Sequence, residues 1–206
     1  MFALLIPGTR ETPVGESIWA VSKVWMILFP FVWYVVVDRG RWSLSPSSAR
    51  GLGAGLLMSI PVAAAIFAAY LLVKDTLIDP EEVRRTIDEL GIGTPARFLI
   101  FASAMSLVNS LLEEYAWRWF VFTRCKAKMG TWAAIVTSAA LFTVHHAFAL
   151  SASVPPGANA LACGGIFAGG IAWAWLYNRY QSIWPGWICH VAADTAVMWV
   201  AWSIIS

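Results

Sequence analysis

Leu111–Phe120 reads LLEEYAWRWF, two adjacent glutamates and an arginine set among leucines, tryptophans and a phenylalanine. An ionised side chain at the centre of a bilayer costs about 2.5–3.5 kcal/mol on insertion scales. Glu113, Glu114 and Arg118 are therefore admissible in a membrane only if they face an interior, have partners, and serve a purpose.

Composition shows that the setting is a membrane. Of 206 residues, 59% are hydrophobic and only 13% charged, with a mean hydropathy of +0.68. A soluble domain carries about 25% charged residues. The net charge of +2 comes without a basic run, so nucleic acid is not an expected partner. The thirteen tryptophans suit membrane–water interfaces. Cys125, Cys163 and Cys189 are widely spaced and form no C-x-x-C, which excludes a disulfide framework and a cysteine metal site. The opening MFALLIPGTR lacks a basic n-region and a long enough apolar core for a signal peptide. The chain reads as all-α, a multi-pass transmembrane helix bundle in a single integral-membrane domain over residues 1–206.

A hydrocarbon core about 30 Å thick needs about 20 apolar helical residues. Apolar runs predict six spans near 17–37, 51–73, 96–121, 131–150, 160–177 and 183–205, separated by DRGRWSLSPSSAR, RCKAKMG, SASVPPGAN and NRYQS. Pro30 and Pro61 lie within spans, which neighbouring helices can accommodate. Gly51-x-x-x-Gly55 and Gly165-x-x-x-Gly169 are candidate sites of close helix approach. The polar segment DPEEVRRTIDELG, Asp79–Gly91, predicts a short amphipathic helix on the membrane surface. Asp79 would be its N-cap, Pro80 its first residue, and Gly91 its C′. Covering a loop is its expected role, with gating of a site as the alternative.

Lys and Arg counts set the orientation. One set of loops holds Arg39, Arg41, Arg50, Arg124, Lys126, Lys128 and Arg179, with Asp38 as its sole acid. The other holds Arg10, Lys74, Arg84 and Arg85 among many acids. Loops 38–50, 122–130 and 178–182 are thus expected to be cytoplasmic and both termini outside the cytoplasm. Lys23 in the first span is expected to snorkel to the outer interface.

The polar residues inside the spans form one constellation. At 100° per residue, Ser103, Ser106, Ser110, Glu113, Glu114 and Arg118 fall within an arc of about 140°. Arg118 lies at i+4 from Glu114 and can pair with it, leaving Glu113 free for proton chemistry. The fourth span adds Phe142, His145 and His146. The two histidines point about 100° apart, so one of them is expected to meet the glutamates. The sixth span adds His190 and Asp194, again i,i+4. Buried ionisable groups on three helices mark an active site or an ion path.

Glu113-Glu114-x-x-x-Arg118, Phe142-x-x-x-His146 and His190-x-x-x-Asp194, in this order, resemble the three motifs of the CAAX protease and bacteriocin-processing family. That family is also known as the ABI family or the glutamic-type intramembrane endopeptidases. The resemblance covers roughly Arg97–Ser206. It implies an endopeptidase cutting near the C-terminal or membrane-proximal end of a peptide or protein. Glu113 and His146 would activate water, while His190 and Asp194 would stabilise the oxyanion. Glu114, Arg118, Phe142 and His145 would support them. Prenyl endoproteases of the family carry asparagine at the position of Asp194, with aspartate an accepted variant. An ionised Asp194 would repel an oxyanion, so it is expected to orient His190 instead.

The same residues also suit other chemistries. Glu113, His146 and His190 could hold catalytic zinc with one open position. The absence of H-E-x-x-H favours cofactor-free chemistry. A non-catalytic membrane partner, an immunity-type protein or a proton carrier would use the same buried charges. Prenylated CAAX tails, other lipid-anchored proteins, leader peptides and C-terminal sorting signals all fit the substrate, with membrane lipid as the surroundings. One tension stands: counting from the expected cytoplasmic ends, Glu113 and His190 lie about 10–14 Å deep and His146 about 10 Å deeper.

Overall fold

The structure, a computed structural model, describes residues 21, 24, 25, 28–40, 45, 49–151 and 154–206. The expected first span lies partly outside them, as do Arg10, Lys23 and Arg41. Its longest described stretch, Leu28–Val37, is an apolar helix, α1. Then follow α2 (Ala49–Leu77), α3 (Pro80–Glu89), α4 (Pro95–Met129), α5 (Thr131–Leu150), α6 (Pro156–Tyr180) and α7 (Trp184–Ile205). Among the described residues there is no strand, and α2, α4, α5, α6 and α7 are each long and apolar enough to cross a membrane. The chain is an all-α multi-pass membrane helix bundle.

The largest departure from expectation is α4. The span read as 96–121 runs to Met129, so residues 122–129 are helix instead of loop. The basic residues Arg124, Lys126 and Lys128 do not end the helix, because cations at a helix C-terminus complement its dipole. Gly130 ends it, at φ +78°, a conformation favouring glycine. At 35 residues, α4 is about 50 Å long, well beyond a hydrocarbon core. Two stretches, Ala104–Asn109 and Glu114–Phe122, are π-helical. Such wide turns often accompany functional sites.

This extension removes the depth tension. Glu113 lies seventeen residues before Gly130 and His146 sixteen after it, on the two arms of one antiparallel hairpin. Equal arms bring the two side chains level. Ending α4 at residue 121 would shorten one arm.

Close approaches fall on particular glycines. A Cβ at Gly55 would collide with the Pro185 backbone, which lets α2 lie along α7. The expected contact at Gly165-x-x-x-Gly169 is not made: Gly165 has open space, and Gly169 faces Trp173 of its own helix. Gly170 supplies it instead, its Cβ position 3.1 Å from the Ala139 Cβ on α5. Pro61 remains inside an unbroken α2.

The basic end of α4 meets Asp38 and the end of α6, and Ser45 meets the start of α7, all at one end of the bundle. Arg124 pairs with Asp38, Lys126 Nζ donates to Asn178 Oδ1 at 2.7 Å, and the Ile183 amide donates to Ser45 Oγ at 3.0 Å. At the opposite end, α3 begins as expected: the Glu81 amide donates to Asp79 at 3.0 Å. It ends with Gly91 at φ +67° and paired bonds from Gly91 to Asp88 and from Ile92 to Ile87, the Schellman arrangement. Its apolar side turns to α7, with Ile87 buried and Arg84 donating to the Ile204 carbonyl at 3.0 Å.

Candidate active site

Three helices bring the constellation together. Glu113 and Glu114 lie mid-way along α4, His146 near the end of α5, and His190 two turns into α7. Glu113, Glu114, Arg118 and His190 are all buried. Glu113 Oε2 lies 3.7 Å from His146 Nε2 and 3.6 Å from His190 Nε2. One carboxylate oxygen thus faces two imidazoles from two other helices.

The partners of each ring fix its orientation. His146 Nδ1 lies 3.0 Å from the Phe142 carbonyl. A carbonyl only accepts, so Nδ1 carries the hydrogen and a neutral His146 turns a lone pair on Nε2 toward Glu113. His145 turns aside, its ring edge-on to Trp117 at 5.5 Å. His190 Nδ1 lies 3.1 Å from Glu114 Oε1, which likewise only accepts. The Nε2 of His190 therefore faces Glu113 Oε2 and, at 3.7 Å, Asp194 Oδ1. Asp194 is the most open of the group, its side chain 28% exposed.

Glu114 does more than the spacing predicted. It pairs with Arg118, whose Nε is 3.5 Å from Oε1, but its shorter contact is to His190. The orienting carboxylate of His190 is thus Glu114, with Asp194 on the other nitrogen. Arg118 is wholly buried, and its three guanidinium nitrogens have no hydrogen-bond partner among the described residues. Aromatic faces help hold the cation, with Phe142 at 4.5 Å and Trp173 at 5.3 Å.

Three contributors escaped the motif reading. Asn109, one turn before Glu113, donates from Nδ2 to Glu113 Oε1 at 2.9 Å, which leaves Oε2 to the histidines. Its i−4 position was a legible signal. Trp173 on α6 stacks flat on His190, with centroids 3.9 Å and planes 13° apart. Gly186 leaves room for Glu114, since a Cβ there would sit 2.5 Å from Oε2. Neither of these two signals is local in sequence.

Among the described residues, no three His, Cys, Asp or Glu side chains are arranged to hold a metal ion. The Glu113, His146 and His190 donors are the set a zinc ion would have to use.

The segment that builds this site, residues 95–196, matches the family described as type II CAAX prenyl endopeptidase, Rce1-like. Through that segment the chain belongs to this family, whose class is a membrane endopeptidase acting on peptide or protein substrates. The match starts where α4 starts and takes in Glu113, His146, His190 and Asp194. No curated protein and no solved structure matches the chain.

Proposed function

We propose that the chain is an intramembrane endopeptidase in which Glu113 and His146 activate a water that attacks a peptide bond. The observation supporting it most is the convergence of Glu113 Oε2 with two imidazole Nε2 atoms, at 3.7 and 3.6 Å. Glu113 Oε2 and the His146 Nε2 lone pair are both acceptors. A water between them gives one hydrogen to each and turns a lone pair toward a substrate carbonyl. As the carbon–oxygen bond forms, a proton passes to this pair and then to the leaving amine.

His190 takes the oxyanion. Its Nδ1–H is committed to Glu114, so stabilisation comes from Nε2–H of the imidazolium. Glu113, Glu114 and Asp194 all lie within 3.7 Å of its ring nitrogens and suit that cation. Asp194 balances this charge and does not meet the oxyanion. The scheme uses no metal or cofactor.

The substrate bond lies near a C-terminal or membrane-proximal end, and a prenylated CAAX tail fits the family. The basic end of the bundle faces the cytoplasm, with both termini outside. The test is purified protein in liposomes with a farnesylated CAAX peptide, products mapped by mass spectrometry. Release of a C-terminal fragment by the wild-type chain and none by Glu113→Ala supports the reading. Equal release by both overturns it.

A further inference from the structure

Between α4 and α7 lies a crevice of about 200 Å³, lined chiefly by Leu99, Ser103, Ser106, Val191, Thr195 and Met198. It continues the faces that build the site. On α7, Val191 and Met198 lie at i−3 and i+4 from Asp194, and on α4, Ser106 and Ser103 run on from Asn109. Leu99, Ser103 and Thr195 are exposed, so the crevice opens sideways, where lipid would be. Toward the basic end it is bridged by the Trp187 indole, which donates to the Leu107 carbonyl at 3.0 Å.

Its hydroxyls are unusual for membrane helices. A serine or threonine there normally satisfies itself on a carbonyl three or four residues earlier. Ser59, Ser138, Thr143 and Ser203 do so in this chain, at 2.7–3.1 Å. Among the described residues, the side chains of Ser103, Ser106 and Thr195 make no hydrogen bond. Ser106 is only 5% exposed. An apolar slot with three uncommitted hydroxyls suits a ligand that is apolar in its side chains and polar in its backbone.

We propose that the α4–α7 crevice is a substrate subsite that takes the main chain of an extended peptide segment. Its amides and carbonyls meet Ser103, Ser106 and Thr195, because in lipid each backbone group must find a partner. The segment continues from the scissile bond toward the α3 end and comes in from the lipid side. This deepens the endopeptidase reading and rests on it.

The experiment places a photoreactive benzoylphenylalanine at Met198 or, separately, at exposed Leu57 on α2 as a control. The full chain, in liposomes, carries Glu113→Gln. Binding is thus read without turnover, and capture succeeds whether or not Glu113 is the base. The probe is the farnesylated CAAX peptide, with cross-links mapped by mass spectrometry. Capture through the peptide chain from Met198, well above the Leu57 control, supports the subsite. Capture through the isoprenoid, of phospholipid alone, or no more than from Leu57 overturns it. In the Glu113-intact chain, Ala102→Leu, at a position that also lines the crevice, should raise KM about tenfold with kcat little changed. An unchanged KM in that variant also counts against the subsite.

Discussion

His190 Nδ1 lies closer to Glu114 Oε1, at 3.1 Å, than Arg118 Nε does, at 3.5 Å. Glu114 therefore joins two tasks, neutralising a buried arginine and orienting a site histidine. Removing its charge should damage both. Glu114→Gln leaves Arg118 without its counter-charge, and breaking a buried pair costs about 3–5 kcal/mol. Thermal melting in detergent should show that loss. Adding Arg118→Met should restore much of the melting temperature without restoring cleavage, since His190 still lacks its carboxylate. Recovery of cleavage in the double variant would show that Glu114 serves only the arginine.

Glu113 should behave differently. Its Oε2 has no cation nearer than the two imidazoles, and Asn109 holds Oε1. Glu113→Gln keeps size and hydrogen bonding but loses the basic lone pair, so cleavage should drop by roughly two to four orders of magnitude. Melting should barely move. His146→Gln should show a loss of similar order, and the double variant should be little worse than either alone if the two act as a unit.

Gly186→Ala tests the room left for Glu114. Its Cβ would lie 2.5 Å from Oε2, within a buried ion pair that cannot swing away freely. Overpacking of this kind costs about 1–3 kcal/mol. Lower melting and lower activity are expected, whereas Gly165→Ala, where the Cβ meets open space, should change neither. Equal effects at the two positions would contradict the packing argument.

Metal dependence separates the two chemistries that Glu113, His146 and His190 could support. Protein dialysed against a strong chelator should keep full cleavage activity, and elemental analysis should find no stoichiometric zinc. Activity lost on chelation and regained with zinc would assign the three side chains to a metal instead.

Orientation can be read at Gln181, the left-handed residue closing α6 at the basic end. With Cys125, Cys163 and Cys189 replaced by serine, Gln181→Cys should resist an impermeant thiol reagent added outside intact cells. It should react once the membrane is opened. Labelling from outside would invert the topology.

Local chemistry wrote much of this protein into its sequence. Hydropathy sets the membrane helices, because a bilayer leaves few choices for a backbone. Asp79, Pro80 and Gly91 set α3, because caps act within a few residues. Glu113, Glu114, Arg118, His146, His190 and Asp194 were legible because ionisable groups in apolar spans are too costly to be incidental. Where α4 ends was not legible, because basic residues can either form a loop or stabilise a helix terminus, and here they do the latter. The level of Glu113 with His146 follows from that end. The tertiary structure alone decided that His190 leans on Glu114 more than on Asp194. It alone put Trp173 under His190 and Gly186 beside Glu114. Those contacts join residues far apart in the chain, and they depend on how α4, α6 and α7 pack, which no spacing within one helix records.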